Sequence, residues 1–257
     1  MSSISPSAAE TPAPFVNKLV IPYGVPVLSF AALASENVPV VVIGRAQRMP
    51  LRLWHGPYPF AELPDLNRLK GTAERLGFIK EHLKALCGLW ARPPLDFLEA
   101  YFRWIEAALE AGRPELEAIS ARGGGLFQPR DWGFAAFRPL PLAHLPIAAE
   151  RYVRVDFAFW TGDRLAGFEL VGGSTPRRQR IGELEALRQA GIEVVEIPAA
   201  ALAAGDLGAF LPESFQRFWQ GVELPKSPFG PASLAEIQPP QAPPPPPTPA
   251  PSPAPAP

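Results

Sequence analysis

Residues 151–198, RYVRVDFAFWTGDRLAGFELVGGSTPRRQRIGELEALRQAGIEVVEIP, limit what this chain can fold into more than any other stretch. Their pattern reads strand, tight turn, strand, helix, strand. Residues 152–160 and 164–171 are rich in β-branched and aromatic types, with Thr161-Gly162-Asp163-Arg164 as the turn signal between them. A two-residue loop at Gly162-Asp163 pairs Thr161 with Arg164 and Trp160 with Leu165. Carried inward, that register sets Ala158 opposite Gly167 and Asp156 opposite Glu169. Directly opposed residues share a face, with Cβ atoms roughly 5 Å apart. Val153, Val155, Phe157, Phe159, Ala166, Phe168 and Leu170 then make a core face. Two carboxylates sit side by side on the other, with open space at Ala158 and Gly167.

Like charges directly opposite each other destabilise a sheet, and a cation between them removes the conflict. A hard oxygen site of this kind suits Mg²⁺, which takes one or two carboxylates and keeps several waters. A salt bridge, for instance from Arg154, or plain exposure to solvent would serve equally. After the second strand, Thr175 can cap a helix with Pro176 in its first turn. Ile181, Leu184, Leu187 and Ala190 form its buried stripe, and Gly191 stops it. Residues 192–197 add a strand, parallel to one of the first two because a helix crosses between them. Arg177, Arg178 and Arg180 crowd the first turn, where the helix dipole favours acids. That mismatch points equally to an outside anion such as a nucleic-acid phosphate, met also by backbone N–H groups after Gly172-Gly173, or to exposed arginines that reflect compositional bias.

This order of features resembles the PD-(D/E)XK nuclease superfamily. The nearest pattern is that of its small bacterial members similar to very-short-patch repair endonucleases. Those read as a strand with Asp, a strand with "VE(L/V)DGG", then "SH…Q", a helix and "GW(R/E)VLR(F/V)"; this chain has Asp156, FELVGGST, RRQR and AGIEVVEIP in that order. The resemblance spans about fifty residues. It implies an α/β (α+β) fold with a restriction-endonuclease-like core, a small mixed sheet flanked by helices. It implies a metal, Mg²⁺ or Mn²⁺, held by Asp156, Glu169 and the Leu170 carbonyl. Gln179, or an arginine such as Arg177, would orient water or phosphate. Arg177, Arg178, Arg180 and Gly173 would meet nucleic acid, DNA in the first instance. The chain departs from the pattern at Val171, where the superfamily has a Lys and the short branch often an Asp, and at Ser174 and Thr175, where a His often stands.

The chain has 257 residues and a formal net charge of −1, so no overall basic field advertises nucleic acid. Its single cysteine, Cys87, excludes an internal disulfide framework and fits a reducing cytoplasm; in an apolar helical pattern it reads as a buried small hydrophobe. No stretch reaches the roughly eighteen apolar residues of a membrane span. The N-terminus lacks the basic and apolar regions of a secretory signal.

Four regions follow: a disordered lead-in (1–14), a mainly helical region with short strands (15–130), the αβ core (131–222) and a Pro-rich tail (223–257). Residues 18–30, broken by Pro22 and Pro26, suit extended edge segments, and 38–43 a strand. Arg45, Arg48, Arg52, Trp54 and His55 read as a solvated loop with some capacity for phosphate. Asp65 is a plausible N-cap for a helical run to Trp90, which Gly71 and Gly77 divide into one or two helices. Arg92-Pro93-Pro94 ends that run, and residues 95–111 form a clear amphipathic helix closed by Gly112, the two making an antiparallel pair. Of Glu99, Glu106 and Glu110, each off the apolar face, Glu106 lies nearest its flank and is the best candidate for an extra metal ligand. Residues 132–147 can supply an edge strand, in which a lone His144 reads as hydrogen-bonded structure rather than a ligand. Phe215, Phe218 and Trp219 mark a short closing helix. The tail should be extended polyproline II, passive or bound by an aromatic groove; a homodimer stays open.

Three functions follow. One is a metal-dependent nuclease-like enzyme. Another is a catalytically degenerate module of the same fold that binds nucleic acid or protein. The third is an interaction protein working through residues 66–109.

Overall fold

The computed structural model describes residues 18–28, 38–44, 48–53, 69, 71–88, 92–122, 128–148, 151–172 and 177–222. The lead-in, the tail, Asp65, Trp54, His55, the triple glycine and Gly173 to Pro176 lie outside them. Strands β1 (Lys18–Pro22) and β2 (Val40–Gly44) pair antiparallel. Helices α1 (Thr72–Cys87), α2 (Arg92–Ala111) and α3 (Arg113–Arg122) follow, then a 3-10 turn at Pro129–Ala135. Next come β3 (Leu140–Ala148), β4 (Arg151–Trp160), β5 (Leu165–Val171), helix α4 (Arg177–Gln189) and β6 (Glu193–Pro198). Short helices α5 (Ala199–Ala204) and α6 (Glu213–Gln216) close the order.

Four strands form one mixed sheet in the order β3-β4-β5-β6. β3, β4 and β5 run antiparallel in turn, and β6 is parallel to β5 across the α4 crossover. The chain is therefore a mixed α/β protein with its sheet flanked by helices, as its pattern implies. The edge strand expected from residues 132–147 is β3, although the stretch begins with a 3-10 turn.

The hairpin register is the expected one, from Trp160 opposite Leu165 to Phe157 opposite Phe168. Thr161 N–H donates to the Arg164 carbonyl at 3.0 Å, and Gly162 adopts φ +103. A Cβ at Gly162 would lie 2.4 Å from the Arg48 carbonyl oxygen, so the turn is pressed against residues 48–50. Gly162→Ala is expected to cost about 1–3 kcal/mol through a left-handed backbone and that collision. Chemical denaturation should show a lower midpoint with an unchanged slope.

The core faces differ from the expected alternation. Phe157, Phe159, Phe168, Ala166 and Leu170 join α1, α2 and the C-terminal helices in one cluster. Val153 and Val155 instead join Ala158, Leu140, Ala143 and Leu145 in a second, with Leu184 and Leu187 of α4 and Ile21, Val41 and Ile43 of the small sheet. The change falls where Leu142 of β3 takes φ +47 and drops out, with Asp156, from the β3–β4 ladder. Period-two alternation survives on either side of this point but not through it.

Helix α2 covers the first face. Phe97 packs at a tilt against Phe157 with ring centroids 4.3 Å apart and meets Phe168 edge-on at 6.2 Å. Tyr101, fully buried, donates its hydroxyl to the Phe137 carbonyl at 2.7 Å. The apolar face of α2 is thus spent on the domain's own core. The helix starts at Arg92, three residues earlier than expected, because prolines fit a first turn whose N–H groups need no helical partner. α1 is one helix with Gly71 at its N-cap and Gly77 in its interior. Lys80 and Lys84 near its end pair with Glu99 near the start of α2.

α3 was not legible in the sequence; of its ten residues only Leu116 and Ser120 are buried, too few for a periodic signal. Arg52 is not a solvated loop residue: its Nη1 donates to the Ala135 and Phe218 carbonyls, and burial pulls it down to about 10. In α4, Leu184 and Leu187 are buried as expected, but Ile181 and Ala190 face solvent.

Candidate functional site

The site grows from the break in the β4 ladder. Asp156 has no ladder partner in β3, and its Oδ2 accepts the backbone N–H of Leu170 at 2.8 Å. A side-chain oxygen thus satisfies a β5 amide that burial would otherwise strand. One residue earlier, Glu169 points its carboxylate at α4. Arg180 donates from Nε to Oε1 at 2.6 Å and from Nη2, on the same edge of the guanidinium, to Oε2. Its remaining nitrogen, Nη1, reaches Glu183 Oε2 at 2.6 Å, one helical turn on. The side chains of Glu169 and Arg180 are only 12% and 13% exposed, so the fork is shielded from solvent.

The two acids are electrostatic neighbours just beyond the last pair of the hairpin ladder. Burial raises the Glu169 carboxyl, Arg180 pulls it back, and the Asp156 charge pushes it up further. Burial also raises the Asp156 carboxyl, against the Leu170 N–H and the charges of Arg154 and Arg180. The Arg180 guanidinium is raised: burial lowers it, and the bonds to Glu169 and Glu183 outweigh that. Cys87, at the end of α1, is pushed up to about 12 by burial, with Asp156 adding to it; the thiol is an inert core group.

An acid that ionises less readily when folded favours the fold fully below its ordinary pKa. That contribution is lost as pH rises through the folded value. For Asp156 the loss begins above 3.8. Asp156→Asn keeps an oxygen for the Leu170 N–H and removes the charge. It is expected to raise stability at neutral pH relative to wild type, with the difference closing toward pH 3.8. Urea unfolding across pH checks this; a variant less stable at neutral pH would refute it.

No family model, curated protein or solved structure matches the chain. The site is therefore judged on its own geometry. Arg180, expected to face an outside anion, is turned inward onto Glu169. Arg177, Arg178 and Gln179 lie on the first turn of α4. Val171 is 45% exposed at the end of β5 and offers no polar atom beyond its backbone. The open space expected beside the acids is filled: Ala158 is fully buried, and a Cβ on Gly167 would meet Val155 Cγ1 at 3.1 Å and Leu145 Cδ1 at 3.2 Å. The switch of face at Leu142 and Asp156 is what brings those two side chains there.

Of the acids on α2, Glu99 is held by Lys80 and Lys84, Glu110 by Arg113, and Glu106 lies exposed beside α1 residues rather than β4. His144 is buried with Nε2 2.9 Å from the Val25 carbonyl, and burial lowers it, as befits a structural histidine. Among the described residues no three His, Cys, Asp or Glu side chains cluster as a metal would need. No described helix is long and apolar enough to cross a membrane. Both oxygens of Glu169 are taken by Arg180, so with that fork in place the pair does not fit a divalent ion. Sequence reasoning missed the inward turn of Arg180. The only hint was Arg180 and Glu183 at (i, i+3) spacing, which orients the guanidinium along the helix.

Proposed function

We propose that this chain is a nuclease-fold protein in which an arginine has replaced the metal, and that it binds nucleic acid without cutting it. The observation that carries this reading is the Arg180 guanidinium spread over both oxygens of Glu169. A cation is what two neighbouring buried carboxylates require, and here the chain supplies its own. Val171, in place of the superfamily's Lys, fits the same loss. The first turn of α4 holds no acid and carries Arg177 and Arg178, which supports a phosphate backbone as the partner at that end. The metal-dependent hydrolase is the second reading, favoured by Asp156, whose carboxylate accepts no arginine hydrogen bond among the described residues.

Fluorescence anisotropy with labelled single-stranded DNA, duplex DNA and RNA tests the first reading, alongside plasmid cleavage in Mg²⁺ and Mn²⁺. Binding should weaken steeply with salt. It should fall at least tenfold in the double variant Arg177→Glu, Arg178→Glu, with no cleavage at any metal concentration. Cleavage that disappears in Asp156→Ala and in Glu169→Ala would establish the hydrolase instead. Neither binding nor cleavage would remove both.

A further inference from the structure

We draw no further inference here: the strongest candidate, the apolar cleft of about 450 Å³ between α1 and α2 lined by Leu76, Phe102, Ile105 and Leu109, carries nothing, because Lys80 on its rim is already paired with Glu99 and nothing in the structure shows what covers it.

Discussion

Arg180→Ala is expected to lower the unfolding free energy by about 3–5 kcal/mol at neutral pH, the range for breaking a shielded pair by removing one partner. The loss comes less from the attraction removed than from what remains. Glu169 would keep a charge in a site 12% exposed, beside Asp156, with no guanidinium over it. Arg180→Lys should recover only part of this, because an ammonium cannot span both carboxylate oxygens. Replacing the pair together, Glu169→Leu with Arg180→Met, should cost far less than either single change, since an apolar pair of similar volume carries no desolvation penalty. Urea denaturation of the wild type, the single variants Arg180→Ala, Arg180→Lys, Glu169→Leu and Arg180→Met, and the double variant measures all of this. A single variant within about 1 kcal/mol of wild type would mean that solvent reaches the pair and screens it.

Phe97→Ala should be comparably severe, about 3–5 kcal/mol, for a different reason. Phe97 is fully buried where α2 crosses the sheet, touching Tyr101 on its own helix and Phe157, Phe159 and Phe168 on β4 and β5. Its truncation opens a cavity at a contact that joins the helical region to the strands carrying the acids, and aromatic neighbours relax poorly into such a space. Thermal and chemical unfolding should remain single transitions, because both regions share one core cluster. Separate melting of the helical region would contradict that shared core.

The hairpin was readable because its information is local. A glycine and an aspartate at the turn fix the register, which pairs Trp160 with Leu165 through to Phe157 with Phe168; Asp156 and Glu169 follow just beyond the last pair. The helix after the hairpin and the parallel β6 follow from the same local logic. What could not be read was the face each side chain takes beyond Asp156. The left-handed Leu142 that accompanies the break in alternation lies in another strand, fourteen residues upstream of Asp156. Arg180 was seen as a charge at a helix start, yet its direction depends on how α4 packs back against β5, a long-range contact that leaves no periodic trace. Gly77 reads only as a weakness in a helical run, because the cleft it borders belongs to the meeting of two helices. Arg52 was hidden likewise, because the carbonyls that hold it come from Ala135 and Phe218.

Calorimetric titration of MnCl₂ into the wild-type protein asks most directly whether an internal guanidinium has taken the ion's place. With Arg180 seated on Glu169, no saturable uptake should appear at millimolar metal. One site of micromolar affinity, lost in both Asp156→Ala and Glu169→Ala, would mean that the guanidinium yields to the metal, and the hydrolase reading would then stand in its place.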